Sequence, residues 1–230
     1  MQDWQALQES VGISFRNLEL LQQAFVHSSY VNENTDPAAV DNERLEFLGD
    51  ALLGFTIAER LYQEFPQLTE GELTEMRISL VRQETLAQIA AELRLGDYLQ
   101  LGKGEESTGG RQRRTNLADV FEALIGAIYL DQGLDTAQSF VLDKLDVQIA
   151  ILKNEGISRN YKALLQELTQ AKYKQLPTYH TIEASGPAHN KYFVIEVALG
   201  NELLGTGSGK TKKAAEMEAA QAAWEKLTSK

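Results

Sequence analysis

Apolar residues recur at intervals of three and four through the first 152 positions, the spacing of one buried helix face. Trp4 to Val11 and Leu18 to His27 read as short helices, the second with Leu18, Leu21, Ala24 and Phe25 on one side. His27, Ser28, Ser29 and Tyr30 close that helix, and His27 reads as a capping or core histidine rather than a catalyst. Asn32 to Asp41 is a loop by composition. A longer helix then runs from Asn42 through Phe55 to Tyr62 and breaks near Pro66, with Leu45, Leu48, Leu52 and Phe55 expected on its buried side. Thr69 and Glu72 are spaced as a capping box for the next helix, which carries Met76, Leu80 and Val81 on one side and Arg77 and Arg82 on another. Thr85 to Leu95 is helical and ends at Gly96. Leu101 to Arg114, with four glycines and the basic residues Arg111, Arg113 and Arg114, reads as a mobile loop, either a solvated surface or a substrate contact. Asn116 to Leu130 and Leu134 to Leu152 complete an all-α pattern.

Beyond residue 152 the period changes. Lys153 to Arg159 is poor in apolar residues and reads as a linker between a domain at 1–152 and one at 160–230. Tyr161 to Tyr173 is helical, whereas Thr178 to Ala184, Tyr192 to Leu199 and Glu202 to Thr206 alternate like strands, the last two joined at Gly200-Asn201. Thr211 to Leu227 is a final helix. The order α-β-β-β-α packs as a small α+β domain, an antiparallel sheet covered on one face by two helices.

Composition alters this picture in two ways. The chain has no cysteine, which removes disulfides, thiolate metal sites and thiol nucleophiles and fits a reducing cytoplasm. Its 43 % hydrophobic content is ample for packed cores, yet no apolar run approaches the roughly 20 residues of a membrane span. The formal net charge of -11 is also unevenly spread. From Asn160 onward nine Lys stand against seven Glu, so the first 159 residues carry 13 basic and 26 acidic groups. A mildly basic module beside an acidic body is the balance expected of a nucleic-acid anchor attached to a metal-using domain.

The acids themselves are patterned. At about 100° per residue, Glu43, Glu46 and Asp50 share one face of their helix, and Asp119 and Glu122 share a face of the other. Gly49 on the first helix, and Ala123 and Gly126 on the second, keep the acidic sides small enough for the helices to meet. Carboxylates packed between two apolar helices repel one another unless a cation joins them, and oxygen-only ligands suit a hard divalent ion such as Mg²⁺. In the tail, Lys210, Thr211, Lys212 and Lys213 follow a glycine-rich turn at a helix N-terminus, the end that binds phosphate.

The stretch Asn42 to Asp50, Asn-Glu-Arg-Leu-Glu-Phe-Leu-Gly-Asp, resembles the signature of the ribonuclease III family, and Leu117 to Gly126 resembles that family's second acidic motif. The tail is similar to a double-stranded RNA-binding domain, including Gly186, Pro187 and His189 in a loop and the Lys210 to Ala214 run. The resemblance implies an all-α endonuclease domain that forms a homodimer, with Glu46, Asp50, Asp119 and Glu122 as catalytic ligands of Mg²⁺, for which Mn²⁺ substitutes. It implies Glu43 and Glu70 as secondary acids of the cleft. It further implies hydrolysis of double-stranded RNA to 5′-phosphate products with two-nucleotide 3′ overhangs, in the processing of ribosomal, messenger or small RNA. In the tail it implies Gln166, Glu167 and His189 at successive minor grooves, and Lys210, Thr211, Lys212 and Lys213 at the phosphates between them. Asp41 and Trp224 depart from the family's usual residues, and neither is one of the four acids. The rival readings are a non-catalytic RNA-binding protein, which predicts lost acids, and a structural helical dimer, which predicts no RNA-binding module.

Overall fold

The computed structural model describes residues 2–34, 39–155, 161–186 and 191–228, the side chains of 154 and 155 excepted. The chain divides into two compact units, Met1–Ile157 and Ser158–Lys230. The linker expected at 153–159 lies, from 156 onward, outside the described residues.

Among the described residues the first unit holds α1 (Trp4–Val11), α2 (Leu18–Ala24), α3 (Ser28–Glu33), α4 (Glu43–Glu64), α5 (Glu70–Val81), α6 (Gln83–Glu92), α7 (Lys103–Ser107), α8 (Arg114–Gln132) and α9 (Leu134–Glu155). Its centre is α8. This helix packs against α2, α4, α6 and α9, and Leu117, Val120, Phe121, Leu124, Ile125 and Ile128 are all buried. A helix apolar on so many sides is a core element rather than a surface one. Leu45, Leu52, Leu53, Ile57 and Leu61 turn the inner face of α4 into the same core.

The α4–α8 crossing is closed by two glycines. A Cβ on Gly49 would overlap the carbonyl oxygen of Glu122, and one on Gly126 would overlap that of Leu45. Only hydrogen at both positions lets the backbones approach this closely. The capping box at α5 forms as spaced: Glu72 donates its N–H to Thr69 Oγ1 at 3.4 Å, and the Glu72 carboxylate accepts the Thr69 N–H at 2.9 Å.

Three local expectations are corrected. The second helix ends at Ala24, and His27 opens α3 instead of closing α2, because its Nδ1 accepts the Ser29 N–H as an N-cap. Phe55 is 55 % exposed and stands outside the buried stripe of α4. Residues 101–114 are ordered, not a free loop. Glu106 pairs with Arg111 at 2.6 Å, Glu105 pairs with Arg113, and Arg111 also donates to the carbonyls of Gly96 and Leu99.

The second unit runs α10 (Tyr161–Tyr173), β1 (Thr178–Ser185), β2 (Tyr192–Leu199), β3 (Glu202–Gly209) and α11 (Lys212–Thr228), with the strands antiparallel in the order β1-β2-β3. It is the small α+β domain anticipated. Leu199 pairs with Glu202 across the two-residue turn, where Gly200 takes φ +60. Leu165, Val197, Leu204, Ala219, Ala220 and Ala223 form the core. The alanines of α11 let β3 lie directly on the helix backbone, where a Cβ on Gly205 or Gly207 would collide with it.

Candidate active site

The glycine crossing places the acidic face of α4 beside that of α8. One carboxylate oxygen from each of Glu46, Asp119 and Glu122 lies within 4.8 Å of the others, and all three residues are half-buried. Asp50, one turn beyond Glu46, is exposed and is not part of that group. Its charge nevertheless acts on both Glu122 and Glu46. Glu43 is likewise exposed and adds its charge to Glu46.

This crowding shifts the protonation of the group. Burial is the largest cause pushing the Glu122 carboxyl up to about 8, followed by the charges of Asp50, Glu46 and Asp119. Burial also raises Glu46, and Asp119 adds to it. Asp119 is raised by burial as well, opposed by the nearby His27. At neutral pH the Glu122 carboxyl therefore keeps its proton unless a cation takes its place. The donor set is entirely oxygen, which fits Mg²⁺, Mn²⁺ or Ca²⁺ and suits Zn²⁺ poorly. The residues present therefore fit a hard divalent ion.

Two residues that support the acids, Glu105 and Asn116, are not among those the sequence pattern singles out. Glu105 on α7 accepts a hydrogen bond from Asn116 Nδ2 at 2.7 Å, one turn before Asp119. That bond, ahead of its pairing with Arg113, holds the Glu105 carboxyl below the usual range. Asn116 is itself buried and donates to the Gly110 carbonyl as well. The Leu101 to Arg114 segment therefore fixes the first turn of α8. Its glycines hid this role, and the alternation of acids at 105 and 106 with arginines at 111 and 113 was the signal available. Glu33 does comparable work, accepting the N–H groups of Lys103 and Gly104 at 2.8 and 3.2 Å.

Glu70 stands apart from the acids. Its carboxylate accepts the Thr74 hydroxyl at 2.9 Å, and it lines an apolar groove with Phe55, Leu61, Tyr62, Leu68 and Leu73. In the second unit Gln166 and Glu167 are exposed on α10, and Lys210, Lys212 and Lys213 are exposed around the β3–α11 turn. Thr211 is the cap of α11 rather than its first residue, its Oγ1 accepting the Ala214 N–H at 3.1 Å. His189 and Pro187 lie outside the described residues. No helix among the described residues is long and apolar enough to cross a membrane.

Comparison with known proteins supplies context for this geometry. A family model described as Ribonuclease-III-like matches residues 17–148, and one described as double-stranded RNA binding motif matches residues 161–227. The chain is 50 % identical to Ribonuclease 3 of Natranaerobius thermophilus over 223 residues, covering 96 % of this chain and 95 % of that protein. It is 47 % identical to Ribonuclease 3 of Listeria innocua, covering 99 % of each. The crystal structure of the nuclease domain of ribonuclease III from Campylobacter jejuni superposes with a TM-score of 0.59 at 35 % identity, covering 64 % of this chain and 97 % of that one. A second structure of that domain concerns flexibility in the region involved in its dimer formation, with the same TM-score and identity over 63 % of this chain and 97 % of that one.

Proposed function

The chain belongs to the ribonuclease III family, an endoribonuclease with a double-stranded RNA-binding domain, and from that premise we propose that Glu46, Asp50, Asp119 and Glu122 hold Mg²⁺ and cut both strands of an RNA duplex. Mn²⁺ would serve in its place. The observation that carries the reading is the close grouping of half-buried carboxyls at the α4–α8 crossing, where among the described residues only His27, acting on Asp119, opposes the upward shift.

When bound, divalent ions supply Lewis acidity toward the scissile phosphate and activation of the attacking water. The chain's own residues do the rest. Glu46, Asp119 and Glu122 offer ligands from two rigid helices whose separation the glycines fix. Glu122 must shed its proton to act as a ligand. Asp50 and Glu43 sit outermost, exposed to an approaching backbone. The products are 5′-phosphate ends with two-nucleotide 3′ overhangs.

A symmetric homodimer places two such sites on one duplex. This is supported by the apolar residues that α4 and α5 leave to solvent: Phe47 is 79 % exposed, Tyr62 75 % and Ile78 57 %. Phe55 and Tyr62 flank the groove that Glu70 lines, so a partner covering it would bury Glu70 too. Because 26 acidic and 13 basic groups crowd the first 159 residues, attraction for RNA falls to the second domain, with Lys210, Lys212 and Lys213 on phosphates and Gln166 and Glu167 toward the minor groove.

The test is incubation of a long, fully paired RNA with the purified protein in Mg²⁺ and in EDTA, resolved on a denaturing gel. Short duplexes that appear only with Mg²⁺ are expected. Intact RNA in Mg²⁺ accompanied by a gel shift would leave a binding protein and remove the catalytic assignment.

A further inference from the structure

The turn carrying the three lysines is held by an acid. Ser208 lies two residues before Lys210 on β3, an edge strand in the sheet order β1-β2-β3. Its N–H is not left open. Glu218, in the second turn of α11, accepts it at 2.6 Å, and Ser208 Oγ lies 3.2 Å from the same carboxylate oxygen. Tyr192 on β2 donates its hydroxyl to Ser208 Oγ at 2.8 Å. Edge-strand N–H groups are normally left to water or blocked by charge. Here one is tied across ten residues to the helix that the lysines begin.

A carboxylate near a phosphate-binding turn is electrostatically the wrong sign. Its retention at this place needs a compensating role, and the hydrogen bonds supply one. We propose that Glu218 is a positioning residue for duplex binding: by accepting the Ser208 N–H it fixes the end of β3 and so the direction in which Lys210, Lys212 and Lys213 leave the turn. The inference rests on the double-stranded RNA reading of this domain. Two independent contacts set the frame in which it acts. Thr211 caps α11 from the other side of the turn, and a Cβ on Gly209 would collide with Ala214, so the connection has one close-packed path. Glu218 closes that path from the strand side.

The role depends on an acceptor and not on charge, which separates it from simple repulsion. Glu218→Gln keeps an oxygen that can accept the Ser208 N–H, and Glu218→Ala removes it. Both variants fold, since position 218 is exposed and alanine is the best helix former. Binding of the full-length chain to a duplex RNA in EDTA is measured for the wild type and both variants, together with hydrogen exchange of the Ser208 amide. Glu218→Ala should weaken binding about threefold to tenfold and lose protection at Ser208, the loss expected from one ordinary hydrogen bond. Glu218→Gln should stay within about twofold of wild type and keep that protection. Equal or tighter binding by Glu218→Ala overturns the proposal in favour of a merely repulsive acid, as does a Glu218→Gln variant as weak as the alanine. Lost protection with unchanged affinity overturns it too, leaving only a structural bond. Wild-type protein that fails to bind the duplex defeats the reading of the whole domain, an outcome visible before either variant is considered.

Discussion

Glu122→Gln tests the assembly of acids most directly. The substitution keeps the shape of the side chain and removes its ability to ionise. In the unfolded chain a glutamate titrates at 4.5, and in the metal-free folded protein Glu122 is pushed up to about 8. The folded state thus holds a proton that the unfolded chain has released. Stability accordingly falls as pH rises from 4.5, and the whole penalty is present above about 8. Fully realised, that displacement would cost roughly 5 kcal/mol. Glu122 is half-buried and not sealed, so solvent screening reduces the figure to about 2 kcal/mol. Glutamine carries no such penalty. In EDTA the variant should therefore melt together with wild type below pH 4.5 and above it by about 4–8 °C at pH 9, the shift expected of a unit this size.

Saturating Mg²⁺ at pH 9 should close that gap, because wild type gains a full ligand set and the variant does not. Duplex binding in EDTA should be unchanged, since the second domain is untouched, while cleavage is abolished. Equal melting temperatures at pH 9 in EDTA would refute the crowding of carboxyls. Loss of RNA binding in parallel with cleavage would refute the ligand role.

Other substitutions probe the parts that place and use this site. Gly49→Ala gains about 1 kcal/mol of helix propensity but drives a methyl into the Glu122 carbonyl, so urea unfolding should show a net loss of about 2 kcal/mol or more; undiminished stability would mean that the helices do not meet there. Alanine at Lys210, Lys212 or Lys213 should each lower duplex affinity and flatten the slope of log affinity against log salt by about 1, and an unchanged slope would take that lysine off the phosphates. Phe55→Asp puts a charge beside the exposed apolar groove of α4 and α5 and should yield monomers in sedimentation, with cleavage of duplex RNA impaired; an intact dimer would move the interface elsewhere.

What could be read from sequence was what depends on local spacing. Glu43, Glu46 and Asp50 share a face because they are in register on α4, and β2 alternates because one of its faces is buried. Contacts between distant segments were harder. The arginines of 101–114 look like a loose basic run until Glu105 and Glu106 are seen beneath them, pairs formed only once α7 folds back toward α8. His27 looks like a helix end because its capping bond runs forward to Ser29, which residue types alone do not reveal. Phe55 satisfies the helical period of the core and still faces solvent, since on that side it lines the open groove between α4 and α5.

The small residues at the α4–α8 crossing carry a further consequence for the chemistry. Glycine at 49 and 126 lets the helix backbones touch, which brings the acids together and leaves no room at either position for a Cβ, let alone a lysine or arginine. Neutralisation by a side chain at either position is thereby excluded by the same contact that creates the charge. Beside the group, His27 opposes only the shift at Asp119, and its Nδ1 is already engaged in capping α3. The remaining demand for positive charge must be met from solution, by protons when the site is metal-free and by a divalent ion when it is working. On this account a substitution that supplied a permanent cation at position 49 or 126 would not rescue the site. It would force the helices apart and disperse the ligands.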